Sequence, residues 1–195
     1  MQDSPRGLVL LSSWLVSKGY SYELQQRYRK GRWLKSIGKG AMLKSGDPFM
    51  LSGALSAFQS QVNVNIHIGG RSALELQGST HYLQLSSPET TLFVLGRTEL
   101  PPWFINNKWD SDYKIFKISI LNDDVLGLTT YRDGEIEIKI SNLVRAMLEC
   151  IALTPTEFSL NEAFKIDLGS GNRSITPNGI LVPKYSLVLP KDLVE

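Results

Sequence analysis

Apolar residues between Val9 and Lys18 recur at helical spacing, with Leu11, Trp14 and Leu15 on one side and Gly19 supplying a stop. Ser21 then stands where a helix N-cap is expected, with Glu23 favourably placed in the first turn of a second helix, Tyr22 to Lys30, that ends at Gly31. At 100° per residue, Leu24 and Tyr28 form the inward face of this helix. Tyr22, Gln26, Arg29 and Lys30 lie opposite, with Gln25 beside them. Two apolar-patterned strands follow, Trp33–Ile37 and Ala41–Lys44, around a Gly38-Lys39-Gly40 turn. Two helices joined through a glycine turn and followed by a glycine-tipped hairpin have the order of a winged helix-turn-helix. Asp47-Pro48 closes this module, so residues 1–48 are expected to be one domain and residues 49–195 another.

Beyond Pro48 the pattern is mixed. Leu51–Gln61 reads as a helix, and Val62–Ile68 alternates like a half-buried strand. Gly69-Gly70 opens a helix from Arg71 to about Gln77. Strands are expected at Thr91–Leu95, Tyr113–Leu121 and Glu135–Ile140, the last alternating at Ile136, Ile138 and Ile140. Ser141 is placed to cap a helix running to Leu153, and Pro177-Asn178-Gly179 marks a turn between two strands, the second at Tyr185–Leu189. The fold class is α+β: an N-terminal winged helix-turn-helix followed by a mixed α/β C-terminal domain.

Charge distribution sharpens this picture. The chain of 195 residues carries a net charge of only +2, but residues 1–50 hold nine Lys/Arg against three Asp/Glu, and the remainder twelve against sixteen. A basic head on a mildly acidic body points to a polyanion as the partner of the head. The single cysteine, Cys150, cannot make an internal disulfide, which fits a reducing cytoplasm. No apolar run approaches a membrane-spanning length, and Met1-Gln2-Asp3-Ser4-Pro5 lacks the basic-then-apolar start of a signal peptide. Neither a membrane partner nor export is expected.

Residues 27–44 contain seven Lys/Arg and no carboxylate. A recognition helix in a DNA major groove needs polar side chains for base edges and flanking cations for phosphates. Gln25, Gln26 and Arg29 suit the first role, since Gln pairs with adenine and Arg with guanine. Arg32, Lys35 and Lys39 suit the second, and Tyr22, Arg27 and Lys30 complete the expected DNA-binding set. The competing reading of the same charges is a solvated basic helix beside an unrelated hairpin. His67 and His81 have no third ligand at metal-binding spacing and read as structural. Asp110, Asp112, Asp123 and Asp124 fall in turn-like segments, where Asp is favoured for backbone reasons, so a metal-dependent nuclease has little support. Gly169-Ser170-Gly171-Asn172-Arg173 lacks the lysine of a phosphate-binding loop, and Leu100-Pro101-Pro102-Trp103-Phe104 reads as a buried anchor. No enzymatic activity, cofactor or metal is expected.

Several runs together resemble the AbiEi antitoxins, regulators paired with nucleotidyltransferase-like AbiEii toxins in type IV toxin–antitoxin (abortive-infection) systems. In the first module they are Leu11-Ser12-Ser13-Trp14-Leu15, Gly19-Tyr20-Ser21, Trp33-Leu34 and Ile37-Gly38-Lys39-Gly40-Ala41. Further on they are Ile66-His67-Ile68-Gly69-Gly70-Arg71-Ser72, His81-Tyr82-Leu83, Leu100-Pro101-Pro102-Trp103-Phe104 and Arg145-Ala146-Met147-Leu148-Glu149. The resemblance implies that Ser21–Arg32 match the recognition helix and its exit, and that Trp33–Lys44 match the wing. It implies repression of the protein's own operon, with double-stranded operator DNA as partner, and an AbiEii toxin linked to it functionally if not by contact. It also implies a further helix before Leu11 and a basic helical segment between Ala163 and Phe164. Only a few residues precede Leu11 and Ala163 runs straight into Phe164, so a shortened member, or a natural or engineered deletion, is expected. The alternative function is an interaction module that restrains a toxin without reading DNA sequence.

Overall fold

The computed structural model describes residues 4–78, 89–94, 99–117 and 125–153, with the backbone of two short strands at 173–175 and 181–183. The chain is a mixed α/β structure. Its first unit contains β1 (Leu10–Leu11), α1 (Ser12–Ser17), α2 (Tyr22–Lys30), β2 (Leu34–Gly38) and β3 (Ala41–Lys44). The three strands are antiparallel in the order β1-β3-β2. The helix expected from Val9 therefore begins only at Ser12, because Leu10 and Leu11 pair with Met42 and Ala41. Leu10, Leu34 and Met42 join Leu15 in a small core beneath the helices, whereas Val9, Leu11, Ile37, Ala41 and Leu43 belong to the main core. A strand covered on both faces is a continuous apolar run without a period, and Val9-Leu10-Leu11 has that form.

The second helix occupies the expected span. Ser21 Oγ accepts from Leu24 N at 3.2 Å, Glu23 sits in the first turn, and Arg27, Arg29 and Lys30 sit in the last. That charge order complements the helix dipole. Its inward face differs from the expectation: Gln25 is the buried residue, while Leu24 and Tyr28 are half-buried.

The second unit runs α3 (Leu51–Gln61), β4 (Ile66–Ile68), α4 (Gly70–Leu76), β5 (Glu89–Val94), α5 (Pro102–Ile105), β6 (Asp112–Phe116), β7 (Leu128–Asp133), β8 (Ile136–Ser141) and α6 (Leu143–Ala152). Its sheet has the order β6-β5-β4-β8-β7, parallel between β4 and β8 and between β5 and β6, and antiparallel elsewhere. The strand expected over Val62–Ile68 shortens to three residues, because Asn63 takes φ +53° and interrupts the extended chain. The sixth helix is capped by Asn142, whose Oδ1 accepts from Arg145 N at 2.9 Å; Ser141 instead ends β8. Trp103 and Phe104 are buried as an anchor should be, but within a short helix started by Pro102. β7 is an element the sequence reading did not contain. A separate pair, β9 (Arg173–Ile175) and β10 (Leu181–Pro183), is antiparallel and flanks Pro177-Asn178-Gly179. That turn, the residues Gly169-Ser170-Gly171-Asn172, His81, Asp123, Asp124 and Tyr185–Leu189 lie outside the described residues.

One hydrophobic core runs across position 48/49, and the third helix joins the two sheets through two glutamines. Gln61 Oε1 accepts from Leu11 N at 2.8 Å and its Nε2 donates to Val9 O at 2.7 Å, satisfying the outer edge of β1. Two residues earlier, Gln59 Nε2 donates to Ile66 O and Lys139 O while its Oε1 accepts from Lys139 N at 2.7 Å. That amide bridges β4 and β8 beside their pairing at Ile68 and Ile140. The position of the helical pair is thus tied to the second sheet by hydrogen bonds as well as by apolar contact.

Candidate nucleic-acid interface

Between α2 and the β2–β3 hairpin lies a groove of about 320 Å³. Tyr22 and Arg29 line it from the helix, Ser12 from α1, and Ser36, Lys39 and Gly40 from the hairpin. The tip is held in place by Ser12 N, which donates to Gly40 O at 2.8 Å. Along the outside of the helix Tyr22, Gln26, Arg27, Arg29 and Lys30 are all exposed, with Tyr22 64% accessible. The exposed cations Arg27, Arg29, Lys30, Arg32, Lys35 and Lys39 have no ion pair among the described residues. Their charge is therefore offered to solvent; Arg29 and Lys39 line the groove, and no carboxylate among the described residues does.

Gln25 also lines the groove, but from its buried wall. It is 2% exposed; its Nε2 donates to Tyr20 O at 2.8 Å and to Ser12 O at 3.1 Å, and its Oε1 accepts from the Ser12 hydroxyl. With both N–H donors and one oxygen lone pair committed, it clamps the first helix to the second. Two further expected residues are exposed but not gathered into the groove. Lys35 projects from the opposite face of the hairpin, with Nζ 5.2 Å from the Phe49 ring centre. Arg32, at φ +58°, lines a separate surface hollow with Trp33, Tyr28 and Lys44. Ser36 is one of the groove residues absent from the expected set, as is Ser12. Strand alternation could have found Ser36, since it shares the Leu34 face that meets the helices.

The other concentration of polar chemistry is buried. Glu149 is 1% exposed and accepts from His67 Nε2 at 2.9 Å, Gly70 N at 2.8 Å, the Ser141 hydroxyl and Arg145 Nε at 2.9 Å. Burial pushes its carboxyl upward, but the hydrogen bond and charge of His67, the Gly70 N–H and Arg145 outweigh it and leave the pKa lowered. Gly69 makes this approach possible, because a Cβ there would stand 2.1 Å from Glu149 Oε2. His67, stacked on Phe93 with ring centres 5.7 Å apart, is the structural histidine expected. Ser141, His67 and Glu149 lack access for a substrate, and Ser141 and His67 both bond the carboxylate rather than each other. Burial, then the charge of Glu149, push the Cys150 thiol up to about 12, so it is no nucleophile at neutral pH. Among the described residues no three His, Cys, Asp or Glu converge on a possible metal site, and no helix is long and apolar enough to cross a membrane.

Comparison with known proteins places these features in a family. Residues 1–85 match the family model described as the transcriptional regulator AbiEi antitoxin N-terminal domain. Residues 87–166 match the transcriptional regulator AbiEi antitoxin of type IV toxin–antitoxin systems. No curated protein matches the chain. Among solved structures, the RV2827C protein of Mycobacterium tuberculosis is similar at 16% identity and a TM-score of 0.35. That alignment covers 60% of this chain and 41% of the other, so the chain spans less than half the length of that relative. The family is one of regulators and antitoxins, not of enzymes. With the two models covering most of its length, the chain belongs to the AbiEi family of transcriptional regulators, the antitoxins of type IV toxin–antitoxin systems.

Proposed function

We propose that the chain binds double-stranded DNA through its first unit as a winged helix-turn-helix and represses its own operon. In this reading α2 enters the major groove, with Gln26 and Arg29 reaching base edges and Tyr22 beside them. Arg27, Lys30 and Arg32 contact phosphates near the end of the helix, and Lys39 does so from the hairpin tip, which acts as the wing. Lys35 stands apart from this set. Gln25, held between the two helices, is left out of this set. Two molecules on an inverted repeat would read paired half-sites, and occupancy of the promoter would block transcription. Family membership supports antitoxin action on an AbiEii-type toxin, and an operator as target fits work in the cytoplasm.

The observation that carries this reading is the pair of exposed cations, Arg29 and Lys39, in a groove between helix and hairpin that no described carboxylate lines, with Arg27 and Lys30 exposed along the same helix. The test is fluorescence anisotropy with DNA from upstream of the gene and with random DNA, each at two salt concentrations. Tight, salt-dependent binding that prefers the upstream DNA is expected. Weak binding, equal on both DNAs, would overturn sequence reading by this unit.

A further inference from the structure

We infer that the first unit carries a second nucleic-acid site, a stacking hollow for an unpaired nucleotide, apart from the groove between helix and hairpin. The hollow has a volume of about 810 Å³, within the range of small-molecule sites, and shares no lining residue with that groove. Tyr28, Gly31, Arg32 and Trp33 line it from the end of α2, and Lys44 and Ser45 from the end of β3. Trp33 is 70% exposed, although its backbone is fixed on both sides. Its N–H donates to Tyr28 O at 2.9 Å, and its carbonyl accepts from Ser45 N at 3.0 Å. Gly31 leaves room for the ring, since a Cβ there would stand 3.0 Å from Trp33 Cδ1. Arg32 takes φ +58°, a strained left-handed conformation of the kind that clusters at ligand-holding segments. A pinned and strained turn thus holds out to water an indole that packing alone would bury.

The lining selects the ligand class. Arg32 and Lys44 are its charged residues, and no carboxylate among the described residues lines it. Arg32 has no ion pair among the described residues. Lys44 Nζ donates to Ser4 O at 2.6 Å and has two further N–H groups to give. An anion with a flat apolar face matches this combination: a base stacks on Trp33, and its phosphate meets the two cations. An acidic peptide would bring the charge without the flat face, and a duplex keeps its bases stacked on one another. The ligand is therefore an unpaired nucleotide within a single strand. This site stands independently of how α2 reads duplex DNA.

The test is titration of the full chain with a short single-stranded oligothymidylate and with an abasic strand of the same length, read by anisotropy and tryptophan fluorescence. The abasic strand keeps the phosphates and lacks the bases. The oligothymidylate is expected to quench the fluorescence and to bind about tenfold more tightly than the abasic strand. Trp33→Ala should remove that advantage and Trp33→Phe should keep part of it, both with little change in unfolding temperature because the side chain is exposed. Trp33→Ala should also leave binding to the upstream duplex unchanged. Equal affinity of the native chain for the two strands would overturn the site, as would an advantage that survives Trp33→Ala. Equal loss on single strand and duplex in Trp33→Ala would also overturn it, because the hollow would then be part of the duplex surface. Quenching by added protein alone would overturn it too, the occupant then being a second copy of the chain. Single-strand binding without preference for the upstream duplex would leave this site standing and overturn only the duplex reading.

Discussion

A Cβ placed on Gly38 would stand 2.6 Å from the Cβ of Trp103 and 3.1 Å from its Cα. The end of β2 thus lies directly against α5, and Asn107 Nδ2 fastens the same contact by donating to Ile37 O at 2.7 Å. Gly38 also takes φ +149°, a conformation that side-chain-bearing residues rarely adopt. Overpacking and backbone strain act together here, so Gly38→Ala is expected to cost about 3 kcal/mol. For a chain of this size that is a fall of roughly 6–12 °C in unfolding temperature, readable by circular dichroism. An unchanged midpoint would mean that the hairpin does not seat on the helix.

Neighbouring glutamines should behave as opposites. Gln25→Ala leaves the partly buried carbonyls of Ser12 and Tyr20 without this donor, at a cost of about 2 kcal/mol in stability. Gln26→Ala touches an exposed side chain and should stay within about 0.5 kcal/mol. On DNA the order reverses at temperatures where both variants are folded. Gln26→Ala loses about 1–3 kcal/mol of preference for the upstream sequence, and Gln25→Ala keeps it. Denaturant melts and anisotropy on the same samples decide the matter; loss of preference in both variants would return Gln25 to the DNA surface.

Two lysines of the hairpin separate the faces of the wing. Lys39 lines the groove, whereas Lys35 stands over Phe49 on the far side of the strand. Lys39→Ala should lower the slope of log affinity against log salt by about 1, the value for one phosphate contact. Lys35→Ala should leave the slope unchanged. Equal slopes in both variants would place the phosphate backbone elsewhere.

How far these assignments could be read in advance depended on whether the signal was local. The Ser21 cap, the basic last turn and the Gly38-Lys39-Gly40 tip act over a few residues, and α2 and the hairpin appear where expected. Val9-Leu10-Leu11 gave a false helix start because a strand buried on both faces has no period to detect. The burial of Gln25 was missed for the opposite reason. Its amide type favours the surface, and only tertiary hydrogen bonds to Ser12 and Tyr20 draw it inside. β7 carries Thr129, Thr130 and Arg132 on a largely exposed edge strand, which leaves little hydrophobic alternation to read. The partners His67 and Glu149 are 82 residues apart, and no spacing rule joins them.

Cys150 offers a direct check of the closed interior of the second unit. Its thiol is 1% exposed and pushed up to about 12, so the reactive thiolate is absent at neutral pH. An aromatic disulfide reagent should leave the native protein unmodified and label one thiol per chain on unfolding, followed by absorbance. Prompt labelling of the native protein would show that α6 opens locally far below the cost of global unfolding.

Glu149 should set the acid limb of stability. Its pKa is lowered in the folded protein, so folding favours the ionised form. The stabilisation is fully present above the ordinary carboxylate range and is lost as pH falls through the lowered folded value. Glu149→Gln removes the charge while His67, Ser141 and Arg145 stay buried around it, a change expected to cost about 3–5 kcal/mol at neutral pH. The same variant can no longer lose that stabilisation in acid. Denaturant midpoints followed from neutral pH to below the carboxylate range should therefore fall less steeply for Glu149→Gln than for the native chain, the two curves converging at the acid end. Parallel curves would mean that the acid sensitivity belongs to other carboxylates, and that this cluster orders β4, β8, α4 and α6 without coupling their stability to pH.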